Sequence, residues 1–305
     1  EKLKFIMYLK NIQRGRISEY VKKYPKAVFK KVCIIGVGLI GGSMARASRK
    51  NNLCDEIVGV GRSEKHLQKA VQLGVIDRYE LSIPKATEHA DAVVVCSPVG
   101  SFEAIFRQLK TTWSKNCLYT DVGSTKQSVL QALESVFGKV PANFVPAHPI
   151  AGSENNGVEA SNDFLFDGKR SILTPIEGTD DRSLQLCREW WEGMGARVSS
   201  MTPQHHDEVF AATSHLPHVL AFSLVEVLRN KQDKREIFEY AAGGFKDFTR
   251  IASSDPEMWA DICLANGSEL LNVMKELEQI NQKISLLIDG KDKQADHVML
   301  HVDNE

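Results

Sequence analysis

The sequence predicts an α/β fold in which a parallel sheet, covered by helices on both faces, is followed by an all-helical region. Short apolar runs alternate with polar helical stretches in the first part of the chain, which is typical of parallel strands joined by helices. Strand signals stop after Pro203, and apolar residues then recur at helical spacing as far as about Gly290. The 305 residues are also enough for two domains at roughly 100–200 residues each.

Each predicted element has its own local signal. A helix is expected over Asp181–Met194, with a strand near Arg197–Ser200. The segment HVLAFSLVEVL is apolar almost all round, which predicts a helix buried between other helices or between two subunits. Asp255 followed by Pro256 predicts the start of another helix. The strands of the sheet are predicted from six apolar runs, which are Val32–Ile35, Ile57–Val60, Ala92–Cys96, Cys117–Thr120, Asn143–Pro146 and Ser171–Thr174.

The composition argues against several classes of partner. The formal net charge of −1 gives no general attraction to nucleic acid or membrane, so we expect neither as a partner. No apolar stretch approaches the ~18 residues of a membrane span, and the N-terminus lacks the apolar core of a signal peptide.

The six cysteines form no C-x-x-C pair, and several lie in apolar runs, which indicates reduced core thiols in a cytoplasmic protein. The lysine-rich N-terminus is expected to be a solvated helix rather than an RNA or membrane contact.

A glycine motif, GVGLIG at residues 36–41, lies between a predicted strand and a predicted helix. This is the context of a dinucleotide-binding turn. The first glycine permits the turn, the second lets the backbone approach a pyrophosphate, and the third lets the helix pack on the strand. The helix N-terminus offers N–H groups to the phosphates. We therefore predict a Rossmann-type domain, the alternative being a tight turn without a ligand; the predicted cofactor contacts are Gly36, Gly38, Leu39, Ile40 and Gly41.

The end of the second predicted strand bears on the choice of nucleotide. NAD sites place Asp or Glu about 20 residues beyond the glycines, where it holds the ribose 2′-hydroxyl. Here that place is held by Gly61, and the following Arg62 and Ser63 can pair with and hydrogen-bond a 2′-phosphate. We expect NADP to be preferred, with NAD as the second choice. Alternatively, Arg62 is a solvated residue or stacks on the adenine of either nucleotide.

Two further strand ends are predicted to face the cofactor. Ligands bind at the carboxyl edge of a parallel sheet, and small residues with a proline leave room there for the nicotinamide ribose. A plain turn explains the first of these segments equally well. The predicted contacts are Cys96, Ser97, Pro98 and Val99 in the first segment, and Asp121 and Gly123 in the second, DVGSTK.

His148 follows another predicted strand, within AHPIAGSENNG, and is the candidate general base. A neutral imidazole can take the proton of an alcohol that loses hydride to a nicotinamide. Ser124, also just beyond a strand, is expected to hydrogen-bond both the substrate hydroxyl and His148. A structural role for this histidine is the alternative.

The helical region carries further polar candidates. His205, His206, His215 and His218 lie close in sequence, but no H-E-x-x-H pattern or nearby cysteine accompanies them, so we predict no metal. His218, inside the apolar helix, is expected to contact substrate.

In GGFKDFTR, two glycines interrupt helical sequence and indicate a helix break. Arg250 follows them and is expected to hold a substrate carboxylate in a forked contact. Alternatively, Arg250 and Asp247 simply pair on the surface.

These segments together resemble the prephenate dehydrogenase family, in family order over about residues 31–262. The resemblance implies an architecture like that of 6-phosphogluconate dehydrogenase, with a helical dimerisation domain and a homodimer. It implies oxidative decarboxylation of prephenate to 4-hydroxyphenylpyruvate in tyrosine biosynthesis, with hydride transfer to NAD(P). The matching stretches are GVGLIGGS, DVGSTK, AHPIAGSENNGVEAS, TPQHHDEVFAATSHLPHVLA and GGFKDFTRIASSDPEMW.

The resemblance also implies roles for single residues. His148 accepts the 4-hydroxyl proton and Ser124 orients it, while His218 and Arg250 hold carboxylates. Further positions that match the family and are implied to bind substrate are Ser153, Glu154, Ser214, Gly244, Lys246, Asp247 and Trp259. Of these, Glu154 and Asp247 are implied to gate the site by pairing with Arg250.

Several alternatives stay open at this point. The substrate is prephenate, arogenate or both; His218 favours the keto acid. A more distant alternative is an NADP-binding sensor without chemistry, or an unrelated reductase of the same architecture. Too few residues follow about position 290 for the regulatory ACT domain of some relatives, so tyrosine feedback would act at the active site. The expected domains are a basic helical extension (1–29), a dinucleotide-binding domain (30–202) and a helical substrate-binding and dimerisation domain (203–305).

Overall fold

The computed structural model describes residues 28–153 and 155–290. The chain divides into two compact units between His206 and Asp207. The predicted N-terminal helical extension lies outside the described residues, except for its last two positions. The extension is expected to end its helix near Pro25, and strand β1 begins at Phe29.

A six-stranded parallel sheet forms the centre of the first unit, in the order β3-β2-β1-β4-β5-β6. The predicted parallel sheet is thereby confirmed. The strand order reverses between β1 and β4, and the loops after such a pair leave a crevice at the carboxyl edge. The strands are β1 Phe29–Ile35, β2 Cys54–Val60, β3 Arg78–Glu80, β4 Ala92–Val95, β5 Leu118–Asp121 and β6 Phe144–Val145.

Both faces of this sheet are buried. Alternate residues of a strand point to opposite faces. In β1, Val32 and Ile34 join one core, whereas Cys33 joins the core on the other side. This two-sided burial explains why the strands read as continuous apolar runs rather than as an alternation.

Helices cover the sheet, and several begin at a side chain that caps them. The Ser63 hydroxyl accepts a hydrogen bond from the backbone N–H of His66, and Asp180 accepts one from the N–H of Ser183. The helices of the first unit are α1 Leu39–Lys50, α2 Glu64–Gln72, α3 Ile83–Thr87, α4 Phe102–Leu109, α5 Gln127–Phe137 and α6 Asp181–Gly193, with α7 Pro203–Phe210 crossing the division between the units.

A second, three-stranded sheet contains β7 Ala147–Pro149, β8 Arg170–Leu173 and β9 Arg197–Ser200. β8 runs antiparallel to β7 and parallel to β9. The predicted strand Ser171–Thr174 therefore belongs to this sheet and not to the parallel one, which corrects its expected placement. Only Pro146 separates β6 from β7; because proline has no N–H to donate to a ladder, the chain can change sheets there.

The second unit is helical. A π-helical turn at Ala211–His215 interrupts the helix between α7 and α8, and a helix begins at Pro256 with Asp255 as its cap, as predicted. The helices are α8 Leu216–Arg229, α9 Lys234–Glu239, α10 Gly243–Thr249, α11 Pro256–Ala265 and α12 Gly267–Ile288.

The apolar helix is longer and more exposed than the sequence suggested. The continuous helical run Pro203–Arg229 is long and apolar enough, by length and composition alone, to cross a membrane, and 17% of its most apolar part is buried. The expectation that no stretch approaches this length was wrong, because it counted the apolar segment without the helical residues before it. Every residue of α8 is described, and only Ala221 among them is buried. The other residues are half-buried or exposed, so the chain itself does not fully cover this helix.

Candidate active site

The turn between β1 and α1 requires glycine at two of its three motif positions. Gly36 has a φ of +98°, and a Cβ there would lie 2.7 Å from the carbonyl oxygen of Cys96. A Cβ at Gly41 would lie 2.2 Å from the carbonyl oxygen of Gly36. Around Gly38, in contrast, a Cβ would meet nothing within 4 Å. The first and third glycines therefore shape the turn, while the second leaves space beside the backbone.

That space lies at the beginning of α1. Gly38 is the N-cap residue and provides no side-chain hydrogen bond, and the first turn contains no acidic residue. Leu39 and Ile40, the first two helical residues, are half-buried. A helix N-terminus with open backbone and no carboxylate suits a pyrophosphate. The cradle therefore fits a bound dinucleotide.

The end of β2 lies next along the same edge of the sheet. Gly61 is half-buried, Arg62 is exposed, and Ser63 caps α2. Glu64, the nearest carboxylate in sequence, accepts a hydrogen bond from the Tyr79 hydroxyl at 2.8 Å. This leaves a cation and a hydroxyl at the strand end, without an acidic residue at the position of Gly61.

The loops after β4 and β5 meet beside the glycine turn. The carbonyl of Cys96 lies so close to Gly36 that it excludes a side chain there. The chain then continues through Ser97, Pro98 and Val99. A Cβ at Gly123 would come within 2.9 Å of a methyl group of Val99. The structure thus brings together, at one sheet edge, three of the segments predicted from the sequence.

Asp121 occupies a different position from the one expected for a cofactor contact. Its side chain is completely buried, 2.5 Å from the Lys126 ammonium, and it accepts hydrogen bonds from the N–H groups of Gly123 and Ala147. Burial raises the pKa of Asp121, and the Lys126 ammonium opposes that effect. The carboxylate faces protein groups and supports the site from beneath, so the predicted contact of Asp121 with the dinucleotide would be made by its backbone.

This buried pair also fixes the strand that carries the candidate base. The Lys126 ammonium donates to the carbonyl of Ala147 at 2.7 Å, and Asp121 accepts from the N–H of the same residue. The next residue is His148, which pairs with Ile172 in the second sheet. The loop after β5 and the strand β7 are therefore locked together one residue from the imidazole.

The imidazole of His148 is half-buried and contacts a second histidine. Its Nδ1 lies 2.8 Å from Nε2 of His206, and the His206 side chain is completely buried in α7. Sequence reasoning considered His206 only as part of a metal cluster that it rejected. The available signal was its position four residues before the apolar Phe210, on the inner side of an amphipathic turn.

Ser124 follows Gly123 and is half-buried at the same sheet edge. The predicted hydrogen bond between Ser124 and His148 is not among the contacts of the described residues, and Nδ1 of His148 is instead next to His206. The proposed role of Ser124 therefore concerns the substrate hydroxyl.

In the second unit, His218 stacks on Trp259. Their ring centroids are 3.5 Å apart with an interplanar angle of 18°. Nδ1 of His218 lies 2.9 Å from the carbonyl oxygen of Ser214, one helical turn earlier. Desolvation lowers the pKa of His218 below its ordinary value, and the hydrogen bond to Ser214 opposes that effect. The ring is thus fixed by a carbonyl on one side and an indole face beneath it.

The remaining predicted substrate residues are mostly exposed. Lys246 and Asp247 lie on α10, and Arg250 follows at its end. No ion pair joins Asp247 to Arg250 in the described part of the chain, so the surface-pair alternative is not observed. Gly243 and Gly244 are the first two residues of α10, consistent with the predicted helix break, and Ser153 is exposed in the loop after β7. Glu154 lies outside the described residues.

His215 is buried and structural in its contacts. Its Nδ1 lies 3.1 Å from the side-chain amide of Asn266, which also donates to the carbonyl of Asp207. Among residues 28–153 and 155–290, no group of three or more His, Cys, Asp or Glu side chains is arranged to hold a metal ion.

A glycine cradle on a parallel sheet, with a half-buried imidazole at the same unit's second sheet, defines a dinucleotide-dependent dehydrogenase. Comparison with known proteins gives the family. Residues 44–200 match the family model of the prephenate dehydrogenase nucleotide-binding domain, and residues 202–302 match that of its dimerization domain. The chain therefore belongs to the prephenate dehydrogenase family.

Individual relatives agree with this assignment. The chain is 36% identical to the cyclohexadienyl dehydrogenase of Zymomonas mobilis, covering 90% of this chain and 93% of the relative. It is 36% identical to the prephenate dehydrogenase of Bacillus subtilis, covering 86% and 71%. A crystal structure of prephenate dehydrogenase from A. aeolicus, in complex with hydroxyphenyl propionate and NAD+, is 39% identical with a TM-score of 0.80, covering 87% of this chain and 93% of that one.

Proposed function

We propose that this protein catalyses the oxidative decarboxylation of prephenate to 4-hydroxyphenylpyruvate, with hydride transfer to a nicotinamide nucleotide, in tyrosine biosynthesis. The observation that carries the proposal is the setting of His148. Its ring is half-buried beside the cofactor edge of the sheet, and its Nδ1 is 2.8 Å from Nε2 of His206. We assign the other ring nitrogen of His148, Nε2, to the substrate hydroxyl.

The chemistry divides between cofactor and protein. When bound, the nicotinamide supplies the hydride acceptor. Nε2 of His148 accepts the proton of the 4-hydroxyl as C4 loses its hydride, so that the ring carbon becomes a carbonyl carbon. The ring carboxylate then leaves as carbon dioxide and its bonding pair enters the ring, which becomes aromatic as the carbonyl oxygen takes up a proton. Ser124 donates a hydrogen bond to that oxygen.

The protein also orients the substrate. We assign the two carboxylates to His218 and Arg250, because a guanidinium forms paired hydrogen bonds with a carboxylate. The stack on Trp259 and the hydrogen bond with Ser214 hold the His218 ring in one orientation. Other residues proposed to contact the substrate are Ser153, Glu154, Gly244, Lys246 and Asp247, of which Glu154 and Asp247 are assigned the gating role.

We propose that NADP is preferred to NAD. The exposed Arg62 guanidinium and the Ser63 hydroxyl stand where an NAD-specific site carries a carboxylate, and Glu64 is engaged by Tyr79. The relative from A. aeolicus binds NAD+, so the two nucleotides must be compared directly on this chain.

Arogenate is the second candidate substrate. It differs from prephenate in carrying an amino group in place of the side-chain keto group, and a relative at 36% identity is named a cyclohexadienyl dehydrogenase. We place prephenate first because two relatives, from Bacillus subtilis and Lactococcus lactis, at 36% and 33% identity, are named prephenate dehydrogenases.

The proposal includes an assembly, a location and a regulator. The apolar and weakly buried α8 supports a homodimer. All six cysteines are free thiols, and burial raises the pKa of Cys33 and Cys187 to about 12, which suits unreactive core thiols in the cytoplasm. Tyrosine shares the hydroxyphenyl ring of the product and is proposed to compete with prephenate at the active site.

The test crosses two substrates with two nucleotides in initial-rate measurements of reduced nicotinamide. We expect the highest kcat/KM for prephenate with NADP, and a competitive pattern for added tyrosine. Arg62→Ala should lower kcat/KM for NADP far more than for NAD, because only NADP carries the 2′-phosphate. Absence of turnover with all four pairs would remove the proposed function, and a clear NAD preference would remove the cofactor assignment alone.

A further inference from the structure

We infer that His206 is a positioning residue that fixes the tautomer and the ring orientation of His148. The inference rests on the proposed function, because it gives His206 a role only if His148 is the base. The observation behind it is the contact of Nδ1 of His148 with Nε2 of His206 at 2.8 Å. The two ring centroids are 5.0 Å apart, and the planes are inclined by 61°. The rings therefore meet edge to edge through one nitrogen each rather than by stacking.

Two neutral imidazoles in this contact share one proton. One ring must donate its N–H and the other must accept with a lone pair. If His206 accepts at Nε2, then His148 carries its proton on Nδ1, and its Nε2 bears a lone pair. If the roles are exchanged, Nε2 of His148 carries the proton and cannot accept another. Only the first arrangement provides a base, so the acceptor state of His206 decides whether His148 is competent.

The same hydrogen bond persists through the reaction. Once Nε2 of His148 has taken the substrate proton, the ring is a cation and Nδ1–H still donates to His206. A hydrogen bond from a charged donor is stronger than one from a neutral donor. His206 therefore stabilises the protonated base without itself gaining or losing a proton.

Both partners are held by the backbone around them. The N–H of His206 donates to the carbonyl of Thr202 at 3.0 Å in the first turn of α7, and its side chain is completely buried. His148 follows Ala147, whose backbone is fixed at both its N–H and its carbonyl by the pair Asp121 and Lys126. Such double fixation is what a preorganised base requires, since small displacements from productive geometry lower the rate.

Three variants separate positioning from packing. His206→Leu removes the acceptor and keeps an apolar side chain in the buried site. His206→Gln keeps a polar atom near the place of Nε2, because the glutamine amide reaches as far as that ring nitrogen. His205→Leu is the matched control, since His205 precedes His206 in the same helix but has an exposed side chain.

We expect His206→Leu to lower kcat for prephenate by about 10- to 100-fold, a large share of what a general base contributes. KM for prephenate and for the nucleotide should stay within about 2-fold, because the His206 side chain is completely buried and is assigned no ligand contact. His206→Gln should recover most of the loss, and His205→Leu should match the unchanged protein. A fall in thermal stability with kcat preserved in His206→Leu would mean that the contact is only packing, and would overturn the inference.

The second measurement needs no turnover. Nitrogen-15 NMR of histidine-labelled protein, assigned with His148→Asn, reports which ring nitrogen of His148 is protonated at neutral pH. We expect Nδ1–H in the unchanged protein and a gain of the Nε2–H form in His206→Leu. Nε2–H in the unchanged protein would overturn the inference even if prephenate is oxidised. If the unchanged protein shows Nδ1–H but does not oxidise prephenate, that result would count against the proposed function and leave the tautomer assignment standing.

Discussion

The three motif glycines differ in what they contribute at the scale of a single residue. Gly36 has a left-handed backbone and approaches the Cys96 carbonyl, and Gly41 approaches the carbonyl of Gly36, so a side chain at either position collides with backbone. Gly38 has a negative φ of −101° and no neighbour that a Cβ would meet. Its lack of a side chain is explained by the approach of a ligand rather than by the fold.

Alanine at the two positions should therefore fail in different ways. Gly38→Ala should keep the Tm of the unchanged protein and raise KM for the nucleotide by about 10-fold or more, since a methyl group displaces the pyrophosphate from the helix N-terminus. Gly41→Ala should lower the Tm or prevent folding. Equal nucleotide affinity in Gly38→Ala, measured by titration and thermal shift, would show that no phosphate lies there.

At this scale the sequence predicted the position of the site better than its contacts. The glycine turn and His148 follow from local pattern, because each stands at the end of an apolar run. The contact with His206 spans 58 residues, and the burial of Asp121 depends on Lys126 and on a strand from another sheet. Such contacts are set by tertiary packing, so local sequence pattern does not predict them.

At the scale of elements, apolar runs in the sequence predicted the buried strands of the parallel sheet but did not predict the short polar strand at its edge. β3, Arg78–Glu80, is a short polar edge strand and carries no apolar signal. β8 was found, but its sheet was not, because sequence pattern alone does not tell which strands pair. Caps were more informative: Asp255 before Pro256 marked the start of α11, and Asp180 stands at the N-cap of α6.

The cap of α6 gives a prediction with a defined pH dependence. Hydrogen bonds from the Ser183 hydroxyl and N–H lower the pKa of Asp180, so the capping carboxylate adds stability above the ordinary pKa of 3.8 and loses it as pH falls through the lowered value. Asp180→Ala should lower the Tm at neutral pH by about 2–4 °C, the usual effect of a lost N-cap at this size. Calorimetry below the ordinary Asp range should show a smaller difference. Asp181→Ala, beside the cap, is the control, and an equal loss there would contradict the assignment.

At the scale of the whole molecule, the helical unit has more apolar surface than one chain covers. Leu264 is 81% exposed, Leu271 56% and Val227 57%. Exposed apolar surface of this extent marks an association site. The sequence predicted a helix buried between helices or subunits, and the exposure of α8 in the single chain favours subunits. The match to the family's dimerization domain over residues 202–302 supports the same interpretation.

Light scattering at micromolar concentration should therefore give the mass of two chains. Leu264→Lys should shift the protein toward monomer, because the charge is desolvated twice in a symmetric interface. The control is Leu81→Lys, at a residue that is 56% exposed in the first unit. A monomer in the unchanged protein, or an equal effect of the two substitutions, would contradict a dimer formed by the helical unit.

The most direct test of the account is the turnover of His148→Asn with prephenate and nucleotide at saturation. Asparagine can still reach His206 from the place of Nδ1 but has no atom at the place of Nε2, so the strand should remain in position while the base is lost. We predict that kcat falls by about 10²- to 10⁴-fold, the contribution of a general base, with nucleotide affinity unchanged. A kcat within about 2-fold of the unchanged protein would contradict the assignment of His148 as the base and the mechanism built on it.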